Sequence, residues 1–199
     1  MANMCCSSVA FYVNATDCIG TKNLLSLHDA IDKSMKKGKR QFRDVIGVPA
    51  NCITYGGYFD YIHDMEDISP YKVFYVDAAT NWSPAYEFFA EVAKKYGVSY
   101  AVSSDGNGEF YEIAGDPDGV LFPHNYSTDI WENDLFIEGN EKHEEGIEFF
   151  NTKESLLDFL RTLNTDFSFD DLNEWDEYLG DDLGIGHIRV WNRIDLPAA

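Results

Sequence analysis

Residues that could perform chemistry are present in this chain, but none stands at the spacing of an established catalytic site. The sequence contains no HExxH, GxSxG, Walker-type or CxxC pattern. The run from Asp105 to Glu109 begins like a calcium loop, which needs Gly at its sixth position and Glu at its twelfth. Phe110 and Asp116 stand at those positions, so the run is more typical of a hairpin turn.

Residues that bind metals are also scattered along the chain. Two groups place a histidine beside carboxylates: His63 with Asp64 and Glu66, and His143 with Glu144 and Glu145. Either group could hold a divalent ion only if the fold supplied further ligands. The cysteines lack zinc-ligand spacing, which favours reduced thiols: Cys5, Cys6, Cys18 and Cys52. We therefore expect no catalytic residue, metal or cofactor.

The charge of the chain is distributed very unevenly. The net charge is −20, and all of it lies between Asp105 and Asp182, where 23 acidic residues meet Lys142, Lys153 and Arg161. The rest of the chain balances, with 12 acidic and 12 basic residues. Such a protein repels phosphate groups, which argues against direct binding to nucleic acid or to anionic membranes. We expect a basic partner instead.

The acidic residues fall into three clusters, and we expect them to form a partner-binding surface. Their members are Asp129, Glu132, Asp134 and Glu138; then Glu141, Glu144, Glu145 and Glu148; then Asp170, Glu174, Glu177 and Asp181. In a helix from Phe169 to Leu179, Asp170, Glu174 and Glu177 would form a stripe opposite the apolar residues. Neighbours in such a stripe are ~5–6 Å apart. This spacing is comparable to that of DNA phosphates, which rise by ~3.4 Å per nucleotide.

The elements of the first half predict an α+β domain. Strands are expected at 8–13, 52–55, 58–62 and 71–76, with a helix over 24–35 ending at Gly38. A second helix should begin at Ser83 as N-cap with Pro84 at its first position. Strands 98–102 and 109–113 should then form a hairpin. This order predicts a ferredoxin-like antiparallel sheet with two helices on one face.

Two short motifs support this assignment by resemblance to a known family. The opening Met1-Ala2-Asn3-Met4-Cys5 and the later Asn81-Trp82-Ser83-Pro84 resemble the YubB-type ferredoxin-like proteins of plasmids and phages. Those proteins commonly begin Met-x-Asn-Trp-Cys, so Met4 departs from the pattern. The resemblance covers roughly residues 1–115 and implies a fold and a mobile-element origin, but no activity.

Residues 116–199 are expected to form an acidic α/β elaboration packed on the same domain as the 1–115 core. Strands are predicted at 134–137, 147–150 and 188–191. One helix should follow Asn151 as N-cap, with Glu154 completing a capping box. Another should begin at Ser168 and end at Gly180. Trp131, Phe136 and Trp175 are candidate aromatic anchors, although Trp175 stands on the apolar face of its helix.

These observations favour a non-enzymatic acidic protein that imitates nucleic acid. Its partner would be a basic, nucleic-acid-binding host protein, such as a restriction or CRISPR nuclease. The alternatives are a small metal-dependent hydrolase with a carboxylate/His site and an assembly protein of a mobile element. No apolar run approaches the ~20 residues needed to span a bilayer, and no signal peptide is evident. We therefore expect a cytoplasmic location in the host cell.

Overall fold

The computed structural model describes residues 4–45, 56–106, 108–130, 146–163 and 168–196. The described residues form two sheets, and their strand pairing is mostly antiparallel. The strands of the first sheet are β1 (Met4–Asn14), β2 (Gly57–Ile62), β3 (Glu66–Ile68), β4 (Tyr71–Asn81), β5 (Ser99–Asp105), β6 (Tyr111–Ala114) and β10 (Asn192–Ile194). The strands of the second sheet are β7 (Tyr126–Ile130), β8 (Gly146–Phe150) and β9 (Gly186–Val190). Together with the helices of the described residues, these sheets make an α+β structure.

Strand β1 lies inside the first sheet, with a paired strand on each side. It pairs with β4 along its whole length and with β5 from Cys6 to Tyr12. The strand order is β10-β6-β5-β1-β4-β2, and β3 also pairs with β4. The alternating residues Val9, Phe11 and Val13 are buried in one core. This period of two is what a strand in a sheet requires.

Helices α1 (Cys18–Lys36) and α3 (Tyr86–Tyr96) bury their apolar faces in the same core as β1. A short helix, α2 (Phe42–Val45), contributes Phe42, whose ring stacks on Phe88 with centroids 4.3 Å apart. Helix α1 begins after Asp17, whose carboxylate accepts hydrogen bonds from two backbone N–H groups of the first turn. Because α1 and α3 share one core with the sheet, both lie on the same face of it.

Helix α3 begins later than its sequence indicates. Its N-cap is Ala85, not Ser83, and no side chain caps it. Ser83 is occupied in the preceding turn, where its carbonyl accepts a hydrogen bond from Thr80 Oγ1 at 2.7 Å. That turn places Trp82 at φ 73°, a conformation that few residues other than glycine adopt.

The hairpin after α3 forms, but its strands extend beyond the predicted ranges. Strand β5 pairs with β6 from Val102 opposite Ala114 to Asp105 opposite Tyr111. The next loop, residues 115–122, is organised by the carboxylate of Asp116. It accepts hydrogen bonds from the N–H groups of Val120, Leu121 and Phe122, and it is 5% exposed.

Arg193 holds the same loop from the far end of the chain. Its guanidinium donates to the carbonyl of Asp116 at 2.7 Å and to that of Phe122 at 2.6 Å. One of its nitrogens also lies 3.6 Å from the Asp116 carboxylate. The loop packs on the sheet face opposite the helices, where Tyr75 donates a hydrogen bond to the Leu121 carbonyl and its ring contacts Phe122.

The second sheet has the order β8-β7-β9, and its helices are α4 (Lys153–Leu160) and α5 (Leu172–Glu177). A π-helical turn, Tyr178–Asp182, continues α5. Helix α4 is capped by Thr152 with Ser155 in a capping box, not by Asn151 with Glu154. Helix α5 is capped by Asp171, three residues after the predicted Ser168. The apolar residues of these helices surround Trp175, which is fully buried.

The chain divides into two compact units, each with its own core. The first comprises residues 1–122 and 193–199, and the second comprises residues 123–192. The division therefore falls later than residue 115, and the C-terminal residues return to the first unit. The predicted strands 52–55 and 134–137 lie outside the described residues. Among the residues described, no helix is long and apolar enough to cross a membrane.

Removing the Asp116 carboxylate should destabilise the first unit. The variant Asp116→Ala removes the acceptor of three loop N–H groups and the carboxylate beside Arg193, so we expect a loss of about 3–5 kcal/mol in the free energy of unfolding. Urea denaturation followed by circular dichroism measures it. The matched control Asp118→Ala alters an exposed carboxylate two residues away and should change this free energy by less than about 0.5 kcal/mol. Equal effects of the two substitutions would contradict this role.

Alkaline pH should weaken the packing of the 115–122 loop. Burial raises the pKa of Tyr75 to about 12, and nearby carboxylates add to the effect. Because the unfolded tyrosine ionises near pH ~10, the contribution of neutral Tyr75 is fully present below that pH and is lost as the pH rises toward 12. Wild-type stability should therefore fall more steeply than that of Tyr75→Phe in urea unfolding between pH 9 and 12. If the stabilities of the two proteins fell in parallel with pH, a contribution from the ionisation of Tyr75 would be excluded.

Candidate partner-binding surface

The helical run from Leu172 to Asp182 separates apolar from acidic residues. Leu172, Trp175 and Leu179 are buried in the core of the second unit. The residues on the opposite side are exposed and acidic: Glu174, Glu177 and Asp181, with Asp182 beside them. We call these four residues the acidic ridge. The ridge exists because the apolar period of the helix fixes which side faces the core.

Three of the four charges of the ridge, those of Glu177, Asp181 and Asp182, are placed against the helix dipole. Asp171 caps the first turn by accepting the N–H of Asn173 at 2.8 Å, which is the favourable end for an acid. The other end holds Glu177, Asp181 and Asp182, and neither α5 nor the π-helical turn carries a basic residue in its last turn. Acids there oppose the partial negative charge of the helix C-terminus. Local stability therefore does not explain them.

Asp170 has a different environment from the one predicted. It precedes the N-cap Asp171 and so lies outside the helix. Its carboxylate accepts a hydrogen bond from Arg161 at 2.6 Å, and Arg161 also pairs with Asp158 at 3.1 Å. These hydrogen bonds, first that to Asp170, raise the pKa of Arg161. Asp170 thus stays exposed, but its charge is partly neutralised.

Asp129 has a structural role in the second sheet. Its carboxylate pairs with Arg189 at 2.5 Å and accepts the backbone N–H of His187 at 3.2 Å, which joins β7 to β9. The two paired side chains are only 20% and 13% exposed. We therefore leave Asp129 out of the proposed contact surface. Arg189 lies beyond the acidic stretch of sequence, and no local pattern identified it as the partner of Asp129.

The structure tests only part of the predicted surface. Six of the proposed residues lie outside the described ranges: Glu132, Asp134, Glu138, Glu141, Glu144 and Glu145. The candidate anchors Trp131 and Phe136 lie outside them as well. Trp175 is buried, and its indole N–H donates to the Phe169 carbonyl at 3.0 Å. Asp170 is exposed but paired with Arg161, so Glu174, Glu177 and Asp181 remain as the described residues of the predicted surface that are both exposed and outside these ion pairs.

Histidines and carboxylates of the described residues meet in pairs. Within the described residues, no group of three or more His, Cys, Asp or Glu side chains is arranged to hold a metal ion. His63 lies 3.1 Å from Asp77, and His187 lies 3.8 Å from Asp176. Each is a pair rather than a larger ligand set. His143 lies outside the described residues.

Comparisons with known proteins do not identify a family for this chain. No family model matches it, and no curated protein matches it. A solved structure of a provisionally named aminohydrolase from methicillin-resistant Staphylococcus aureus matches with 8% sequence identity and a TM-score of 0.24. The match includes all of this chain and 45% of the aminohydrolase chain. A TM-score this low supports no statement about fold or activity.

Breaking the Asp129–Arg189 pair should destabilise the second unit. We expect Arg189→Met to lower the free energy of unfolding by about 2–3 kcal/mol, because it leaves a mostly buried carboxylate without its cation. The residual exposure of both side chains keeps the value below that of a fully buried pair. Urea unfolding followed by tryptophan fluorescence measures it. Arg161→Met, which breaks two exposed pairs, is the control and should leave the unfolding midpoint nearly unchanged. An unchanged midpoint for Arg189→Met would contradict the structural role of the pair.

Proposed function

We propose that this protein is a non-enzymatic inhibitor that presents carboxylates to a basic, nucleic-acid-binding groove of a partner protein. The observation that carries the proposal is the acidic ridge: Glu174, Glu177 and Asp181 occupy the exposed side of one helical run. Glu174 and Glu177 are three residues apart on α5, where such neighbours have Cβ atoms ~5–6 Å apart. Asp181 follows in the π-helical turn. A groove that accepts successive phosphates could accept such a row.

Three of the four basic residues of the second unit are paired with other carboxylates, which supports this proposal. Residues 123–192 contain 18 acidic residues but four basic ones, Lys142, Lys153, Arg161 and Arg189. Arg189 neutralises Asp129, Arg161 joins Asp158 to Asp170, and Lys153 lies 4.0 Å from Asp171. No ion pair to Glu174, Glu177 or Asp181 forms within the described part of the chain. The ridge thus keeps its charge for an external partner.

Complementary charge would also determine how the complex forms. Attraction between a negative ridge and a positive groove accelerates encounter and makes association sensitive to salt. Affinity would require apolar anchors in addition, because exposed ion pairs contribute little on their own. Trp131 and Phe136 remain candidates for that role, whereas Trp175 is buried in the core of the second unit.

The first unit would serve as the scaffold, and we propose that it has a ferredoxin-like fold. The elements β1, α1, β2, β4, α3 and β5 follow in the order expected for that fold. The strand order β5-β1-β4-β2 and the placement of both helices on one face support this. With the YubB-type motifs, the proposal extends to a mobile-element origin. A host defence nuclease, such as a restriction or CRISPR effector, would then be the natural target in the host cytoplasm.

The mimicry can be tested by competition with DNA. We expect the immobilised protein to retain DNA-binding proteins from a host lysate at low salt, and duplex DNA to release them in proportion to its concentration. The retained nuclease, once purified, should lose its DNA complex in a mobility-shift assay when this protein is added. Retained proteins that duplex DNA does not displace would contradict mimicry.

Neutralising the acidic ridge tests whether the ridge is the surface that contacts the partner. The variant Glu174→Gln/Glu177→Gln/Asp181→Asn/Asp182→Asn should lower the inhibition of DNA binding at least tenfold, because it removes the proposed contact. The control Asp64→Asn/Glu66→Gln/Glu87→Gln/Asp118→Asn removes the same charge from exposed positions of the first unit. This control should inhibit like the wild type. Equal loss in both variants would indicate a net-charge effect and would exclude the ridge as the contact.

A further inference from the structure

The face of the first sheet opposite the helices has an uncovered end. Residues that stand opposite each other on antiparallel strands point to the same face, so the pairing register identifies its members. One row across the sheet contains Tyr111, Asp105, Cys6, Ala79 and Tyr58. The next row contains Ile113, Ser103, Ser8, Asp77 and Tyr61. Beyond it, the row of Ala10 and Tyr75 is where the 115–122 loop packs.

The first row and the β1–β2 side of the second row form a shallow surface with tyrosines at its margins, whereas Ile113 and Ser103 at the other end of the second row are buried. Its centre is made of small residues, and Cys6 is exposed although β1 lies inside the sheet. On one margin Tyr58 is 37% exposed and Tyr61 is 59% exposed. The other margin is Tyr111 on β6, four strand spacings from Tyr58, or roughly 19 Å. We call this surface the tyrosine trough.

Three carboxylates surround the centre of the trough. Asp105 is the neighbour of Cys6 on β5, Asp77 is the neighbour of Ser8 on β4, and Asp60 stands at the bulge of β2. The pKa of the Cys6 thiol is raised, first by partial burial and then by the charges of these three carboxylates. All three therefore lie close enough to act on one atom.

The positive charges near the trough only partly offset these carboxylates. Arg40 pairs with Asp60 at 3.3 Å, and both side chains are largely exposed. His63 is hydrogen-bonded to Asp77 at 3.1 Å, and its ring contacts that of Tyr61. Within the described residues, neither Asp77 nor Asp105 forms an ion pair with a lysine or arginine. A cation that enters the trough would meet uncompensated negative charge.

We propose that the tyrosine trough is a second interaction surface, separate from the acidic ridge, which binds an arginine-containing segment of a partner protein. A guanidinium stacks on tyrosine rings through cation–π attraction and binds carboxylates with two parallel hydrogen bonds. The trough offers both groups on one exposed face. An extended peptide or a helix of ~10–12 Å diameter fits between tyrosine margins roughly 19 Å apart.

Charge distinguishes this occupant from a nucleic acid. Single-stranded RNA also stacks on aromatic residues exposed on a sheet face. RNA binding, however, requires basic residues that neutralise phosphates, whereas this surface holds Asp60, Asp77 and Asp105. The arginine segment is therefore the occupant that the surface chemistry favours.

The experiment is a titration of the full-length, 15N-labelled protein with the capped peptide Arg-Ala-Arg-Ala-Arg, followed by amide chemical shifts. We expect the largest shifts at Cys6, Ser8, Tyr58 and Asp105. Removing both exposed rings in Tyr58→Ala/Tyr61→Ala should weaken binding roughly fivefold or more without changing the charge. The variant Tyr58→Phe/Tyr61→Phe keeps both rings and should bind like the wild type, and circular dichroism confirms that each variant is folded.

Charge variants assign the binding to one surface. Asp77→Asn/Asp105→Asn should weaken the peptide affinity about tenfold, whereas Glu174→Gln/Glu177→Gln, with the same change in charge, should leave the trough shifts unchanged. The proposal is overturned if the shifts concentrate on the second unit, or if the alanine variant binds like the wild type. Tighter binding of octauridylate than of the peptide at these amides would also overturn it. Because the trough belongs to the first unit, these outcomes are independent of the inhibition assay for the ridge.

Discussion

The buried carboxylate of Asp116 is the interaction on which much of the architecture depends. It gathers three N–H groups of its own loop and lies beside Arg193, which binds the carbonyls of Asp116 and Phe122. The second unit occupies the chain between Phe122 and Arg193. The two residues that flank it are joined by a hydrogen bond of 2.6 Å from the Arg193 guanidinium to the Phe122 carbonyl. An insertion whose ends are held close can fold around its own core while the first sheet continues into β10.

The same clamp determines how the open face of the first sheet is used. By fixing Leu121 and Phe122 against Tyr75, the loop covers the rows of the sheet near Ala10. In the two neighbouring rows Cys6, Tyr58 and Tyr61 stay exposed, whereas Ile113 and Ser103 are buried. A fully uncovered sheet would expose a large apolar area. The loop thus supplies burial where the strands are apolar and leaves the polar end available for contact.

Negative charge reaches the surface of this protein in two chemically distinct settings. On the acidic ridge, carboxylates follow one helical run, and those at its C-terminal end oppose the helix dipole. In the trough, carboxylates from three strands stand beside exposed tyrosine rings. The first arrangement suits a groove that binds successive phosphates, and the second suits individual guanidinium groups. Both favour basic partners, but they would recognise them through different geometry.

Local patterns in the sequence were sufficient for the long elements, because helical and strand periodicities report which side of an element is buried. They predicted β1, α1, β4 and the acidic side of α5 for this reason. Sequence composition also determined the uneven charge. The N-cap positions were predicted wrongly. Ser83, for example, does not cap α3, because it belongs to a turn that begins at Thr80. Only the tertiary structure decided which charges are neutralised: Asp129 meets Arg189 60 residues away, and Asp116 meets Arg193 77 residues away. The tyrosine trough likewise depends on the register of five strands, and register between strands distant in the chain leaves no periodic signal in the sequence.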